Sequence, residues 1–149
     1  MDHSSLQWVI KSFNALSNRE LYEILQFRMK IFMIEQNCLY FDLDDKDQMA
    51  YHCRGQENEK LIAYGRINFS LENAYIQRVC IREEYRQQKL GHVLMHKMLE
   101  FIGNKNEVKH IQLNAQHHLQ HFYEKLGFQV SGPSFDDIGI LHIPMSKKN

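Results

Sequence analysis

Charge of one sign, cysteine and long apolar runs are all scarce in this 149-residue chain. Lys plus Arg and Asp plus Glu number 18 each and are mixed along the sequence, so nothing supplies the basic field that duplex nucleic acid requires. The three cysteines, Cys38, Cys53 and Cys80, are odd in number and lack CxxC spacing. That argues against a disulfide framework and a zinc site, and for reduced thiols in the cytosol. No stretch approaches the roughly 18 uninterrupted apolar residues of a membrane span. Met1-Asp2-His3-Ser4-Ser5 lacks a positive region followed by an apolar run, so the expectation is a cytoplasmic protein. The GxSxG elbow, the P-loop and the dinucleotide GxGxxG are missing as well, which disfavours hydrolase, nucleoside triphosphatase and Rossmann readings.

With 44% hydrophobic side chains, residues 1–149 suit one domain with a single core. Alternation over Leu6 to Phe13 predicts a strand. Ser17-Asn18-Arg19-Glu20 matches a capping box and predicts a helix from Asn18 to about Ile34. Its apolar stripe of Leu21, Ile24, Leu25, Ile31 and Phe32 contains Arg28, whose guanidinium needs an acid nearby; Glu35, two turns on, is the first candidate. Asn37 to Gln48 reads as a loop. Its Asp42, Asp44, Asp45 and Asp47 resemble a calcium loop superficially, but the glycine and closing glutamate are missing.

Tyr51 to Gly55, Leu61 to Phe69 and Ala74 to Ile81 predict an antiparallel meander. A helix from Leu90 ends at Gly103-Asn104, and a strand over Ile111, Leu113 and Ala115 precedes a short helix ending at Gly127. Phe128 to Val130 and Leu141 to Met145 give final strands, with Pro144 favouring an edge position for the last. Strand, helix, three strands, helix, strand, helix and two strands make a mixed α/β layer structure.

The chemistry concentrates between Ala74 and Gly91. A strand runs into a polar loop, and Arg86-Gln87-Gln88-Lys89-Leu90-Gly91 opens the next helix. The orphan N–H groups and positive dipole end of a helix start form an anion site suited to a pyrophosphate, with Arg86 and Lys89 adding charge. His117 and His121 stand four apart, yet His118 occupies the place of the glutamate in HExxH, so a solvated helix face is the better account than a metal site.

Here the chain resembles the GNAT acetyltransferases, whose phosphate loop reads Arg or Gln, two residues, Gly, one residue, Gly or Ala. The version here is Arg86-x-x-Lys89-x-Gly91, with Lys89 in place of the middle glycine and able to contact phosphate. It is similar in particular to the ElaA-type subgroup, through Arg28-x-x-x-Phe32-x-x-Glu35-Gln36, Ala115-Gln116-x-His118-Leu119-Gln120-x-Phe122-Tyr123 and Gly139-Ile140-x-His142-Ile143-x-Met145. The resemblance implies an acyl-CoA N-acyltransferase fold, a splayed, mostly antiparallel sheet flanked by helices. It implies acetyl-CoA as cosubstrate without a metal, with the strand Gln77 to Ile81, including Val79, Cys80 and Ile81, offering its backbone to the pantetheine arm. Arg86, Gln87, Gln88, Lys89, Leu90, Gly91 and His92 form the implied nucleotide site.

Acetyl transfer needs a deprotonated amine, donors for the oxyanion and a stabilised CoA thiolate. Tyr123 matches the family tyrosine that donates to the thiolate; the alternative is an ordinary core aromatic. Asn114 either hydrogen-bonds the pantetheine amides or caps the next helix. Glu35 and His142 are the candidate general bases, and with Arg28 the candidate acceptor-binding residues. An Arg28–Glu35 pair is more often structural than catalytic. The acids of the Asn37 to Met49 loop, Asp42, Asp44 and Asp47, hint at a cationic acceptor, a polyamine, an aminoglycoside-like amine or a lysine. The other functional class left open is a non-catalytic acyl-CoA sensor, and an edge strand offers a route to a homodimer.

Overall fold

The structure, a computed structural model, describes residues 5–149. Strand β1 (Leu6–Ser12) leads to helix α1 (Asn18–Arg28), which continues as a π-helical segment over Met29–Glu35. The capping box forms as expected: the Glu20 N–H donates to Ser17 Oγ at 3.0 Å, and the Ser17 N–H donates to Glu20 Oε1 at 3.1 Å. After a loop come β2 (Tyr51–Glu57), β3 (Lys60–Ser70) and β4 (Asn73–Ile81), the expected meander. The β2–β3 turn needs only Asn58 and Glu59, both at positive φ, the two-residue geometry that matches strand twist.

Helix α2 (Leu90–Gly103), β5 (His110–Gln116), α3 (Gln120–Glu124), β6 (Gln129–Val130), β7 (Phe135–Asp137) and β8 (Ile140–Lys148) complete the chain. All eight strands join one sheet in the order β1-β2-β3-β4-β5-β8-β6, with β7 also pairing β8. Among the described residues only β4 and β5 are parallel, joined across α2. The main core lies between α2 and the sheet, where Leu94, Met95, Met98 and Ile102 are fully buried. Gly65 on β3 admits that approach, since a Cβ there would meet Met98 Sδ at 2.5 Å. A smaller cluster of Ile24, Phe27 and Ile31 packs on Leu61, Tyr64 and Cys80.

Two expectations fail. β8 is an interior strand, paired with β5 on one side and with β6 and β7 on the other. Pro144 is tolerated because its carbonyl accepts from the Ser131 N–H at 2.9 Å, so its nitrogen faces the same outer side, and the β5 ladder loses no donor. The short β7 was not anticipated in the turn-rich stretch after Gly132-Pro133.

The Arg28–Glu35 pair is also absent. A π turn takes about one more residue than an α turn, so Glu35 falls behind the face that carries Arg28. The Cys38 N–H donating to the Met33 carbonyl at 3.1 Å records that wider winding.

Candidate active site

β4 and β5 pair only from Asn73–Tyr75 to His110–Gln112. Beyond Tyr75 each keeps its other neighbour, β3 or β8, and the two part. A cavity of about 950 Å³ occupies the notch. At its edge β4 carries a bulge: Arg66 pairs with Gln77 and Tyr64 with Cys80, so Arg78 and Val79 stand opposite Gly65 alone. Arg78 takes φ 56° there, a left-handed conformation that a side chain tolerates at a cost of about 1–2 kcal/mol.

The buried ions beside the bulge explain how it is held. Arg28, 0% exposed, donates from Nε to Asp42 at 2.9 Å, from Nη1 to Asp47 at 2.6 Å and from Nη2 to the Asp42 carbonyl at 3.0 Å. Arg66, equally buried, donates to Asp44 and Asp47. Arg78 donates from Nε to the second Asp42 oxygen at 2.8 Å, with its guanidinium 5.6 Å from the Tyr40 ring centroid. Burial would raise the Asp44 and Asp47 carboxyls, but the Arg66 and Arg28 hydrogen bonds hold both below the usual carboxylate range. His52 completes the layer as a neutral ring, with Nε2 donating to the Asp47 carbonyl and Nδ1 accepting from Tyr64. Burial keeps its pKa low.

This cluster corrects two expectations. Arg28 does not line the cavity, and each of its three side-chain nitrogens donates to Asp42 or Asp47, so it offers nothing to an acceptor there. Asp42, Asp44 and Asp47 likewise face arginines and lie outside the cavity lining. Sequence reasoning flagged Arg28 and missed Arg66 and Arg78. Arg66, set in the apolar run Leu61 to Phe69, carried the same signal.

Across the notch, α2 points its N-terminus at the cavity. Its first helical hydrogen bond runs from the Val93 N–H to the Lys89 carbonyl at 3.2 Å, so the N–H groups of Leu90, Gly91 and His92 have no intrahelical acceptor. No side chain caps this end, and no acid occupies the first turn. Gln87 and Lys89 take φ 63° and 61°, which explains why glycine serves the second of these positions in the family pattern. Gly91 has a packing role too: a Cβ would stand 3.3 Å from Phe122 of α3.

Arg86 is anchored by donating from Nε to the Ile81 carbonyl at 3.0 Å and from Nη2 to Glu35 Oε2 at 2.6 Å. Glu35 thus faces Arg86 rather than Arg28. Gln88 turns away from the cavity, with Nε2 donating to the Glu84 carbonyl and Oε1 buried without a partner.

The remaining sequence-derived residues converge on the lining: Val79, Cys80 and Ile81 on β4, Asn114 on β5, Tyr123 on α3 and His142 on β8. Tyr123 is 6% exposed and makes no side-chain hydrogen bond among the described residues, and burial pushes its phenol up to about 12. The Cys80 thiol is also pushed up by burial and stays protonated. His142 Nδ1 lies 2.7 Å from the Ile140 carbonyl and must donate to it, so in the neutral ring Nε2 keeps its lone pair. The ring stacks on Phe135, with centroids 5.8 Å apart.

A parted parallel strand pair, a bulge at the split and an uncapped helix start define an acyl-CoA site architecture. The family model described as an acetyltransferase (GNAT) domain matches residues 20–149, and the chain belongs to that family. It is 38% identical over 148 residues to Protein ElaA of Escherichia coli (strain K12), covering 96% of this chain and 97% of that one. The crystal structure of Escherichia coli ElaA superposes with a TM-score of 0.90 at 37% identity, over 95% of this chain and 99% of that one. An acyl-CoA N-acyltransferase from Pseudomonas aeruginosa also gives 0.90, at 32% identity over 96% and 99%. An aminoglycoside 6'-N-acetyltransferase complexed with coenzyme A shares the fold, with a TM-score of 0.72 at 13% identity over 94% and 96%. The chain is therefore an acyltransferase of mixed α/β fold. Among the described residues, no helix is long and apolar enough to cross a membrane.

Proposed function

We propose that the protein transfers an acetyl group from acetyl-CoA to a primary amine by direct attack. The observation that carries this reading is the uncapped N-terminus of α2 facing a cavity that opens between β4 and β5. The pyrophosphate would take the N–H groups of Leu90, Gly91 and His92, with Lys89 beside it. The pantetheine arm would lie along Val79 to Ile81, which leave β5 unpaired, within reach of Asn114.

In the transfer itself, the amine lone pair attacks the thioester carbon. The bulge at Arg78 and Val79 frees backbone groups from the β3 ladder near that carbon. The amine proton passes to His142 Nε2, whose lone pair the Ile140 carbonyl keeps available. The C–S bond then breaks, and the Tyr123 hydroxyl donates to the departing thiolate. A thiol of about 8.5 is a stronger acid than a phenol held at about 12, so Tyr123 acts as a hydrogen-bond donor and remains protonated. A protonated Cys80 supports direct attack over an acyl-cysteine route.

Incubating the purified protein with acetyl-CoA and a panel of primary amines, while following thiol release, tests the reading. Amine-dependent release is expected. Acetyl-CoA binding without release across a broad panel would favour a non-catalytic acyl-CoA sensor instead.

A further inference from the structure

The charged groups in the cavity lining bear on which amines it can take. Among the described residues two carboxylates line the cavity, Glu35 and Asp137. Glu35 is bound by Arg86 at 2.6 Å, whereas Asp137 makes no ion pair among the described residues. The acids of the 37–49 loop are either paired with buried arginines or, like Asp45, absent from the lining.

Asp137 ends β7, opposite Ile140 of β8, and Phe135 stands opposite His142. Residues two apart on a strand share a face, so Asp137 lies on the same face as Phe135, Ile140 and His142. Diagonal neighbours in such a ladder are about 7–8 Å apart, a gap that one ammonium group bridges between a carboxylate and an imidazole. The same lining includes the apolar side chains of Phe32, Leu119, Ile138 and Ile140, and Asp137 itself is exposed at the rim. Leu39, between the cavity-lining Cys38 and Tyr40, is 87% exposed, and Phe41 is 93% exposed.

We infer that the acceptor is a monoamine with an apolar or aromatic body, its ammonium held by Asp137 and its body lying on Phe32, Leu119 and Ile138. A polyamine or aminoglycoside would bring several cations to a lining that offers one unpaired carboxylate, so its further ammonium groups would gain no counter-charge there, whereas an apolar body would gain contact with Phe32, Leu119 and Ile138. Asp137 acts in binding: pairing stabilises the ammonium, and the proton leaves only when the nitrogen turns to His142.

The inference rests on the acetyltransferase reading, so acetyl-CoA binding is measured first by calorimetry; no binding would overturn both. With binding established, kcat/KM is compared for phenethylamine and spermidine in the wild type, Asp137→Asn and Asp45→Asn. Phenethylamine is expected to be favoured by about two- to fivefold, the order of one exposed ion pair. Asp137→Asn should raise the phenethylamine KM by about two- to fivefold, leaving acetyl-CoA affinity unchanged, and Asp45→Asn should leave both constants as they are. Preference for spermidine, or an unchanged KM in Asp137→Asn, would overturn the acceptor inference while leaving the acetyltransferase reading intact.

Discussion

The molecule gathers its polar groups in two neighbouring places and treats them in opposite ways. Beneath the β4 bulge, Arg28, Arg66 and Arg78 meet Asp42, Asp44 and Asp47, and each aspartate accepts from at least one guanidinium. At the start of α2, three backbone N–H groups and the Lys89 ammonium have neither a cap nor an acid among the described residues. Saturated charge holds a strained strand in place, while unsaturated charge waits for an anion. Proximity to the cavity does not separate the two roles; the presence of partners within the fold does.

Breaking the saturated side should have the largest effect. Asp47→Ala strips a partner from both Arg28 and Arg66 and should cost about 3–5 kcal/mol in denaturant unfolding, as breaking buried pairs does. Acid should erode the same region. The folded-state values of Asp44 and Asp47 are depressed, so their contribution is present above the unfolded value of about 3.9 and is lost as pH falls through the lower folded values. His52 is depressed as well, so the unfolded chain takes up its proton first and stability starts to decline below about pH 6.5. Unfolding midpoints measured from pH 7 to about pH 2 should show both stages, and a midpoint flat across that range would contradict the assignment.

On the open side the effects are catalytic. Tyr123→Phe removes the hydroxyl and should lower kcat about 100-fold, roughly 2.7 kcal/mol, with acetyl-CoA affinity retained by calorimetry. Equal losses in affinity and turnover would make the residue a core aromatic instead. The smallest effect is the most discriminating. Lys89→Gly relieves the left-handed backbone and should stabilise the fold by up to about 1 kcal/mol. It should also weaken coenzyme A binding about two- to fivefold, as loss of a screened charge does. Stability and affinity moving together would remove the ammonium from the phosphate site.

The element order was readable because local rules governed it: a capping box opens α1, alternation marks β1 and β5, and Gly127 closes α3 at φ 91°. Most of the cavity lining was readable for the same reason, since Arg86 to His92, of which Gln88 alone turns away, are contiguous, Tyr123 and His142 fall in family motifs, and Asn114 immediately precedes one. What escaped depended on distance. Arg78 and Asp42 are 36 residues apart, and no local pattern joins them. The π winding that moves Glu35 from Arg28 to Arg86 leaves no mark in hydrophobic spacing. The loop aspartates looked available because a sequence shows charges without showing their partners. Pro144 misled because its missing donor faces the side where β6 ends, a fact of register rather than composition.

The most direct test is to follow the backbone amide resonances of Leu90, Gly91 and His92 by NMR while coenzyme A is added. The account predicts that these three shift together and saturate at one equivalent, with the Glu20 amide, already satisfied by Ser17, unmoved. Saturable binding that leaves all three amides unshifted would contradict it.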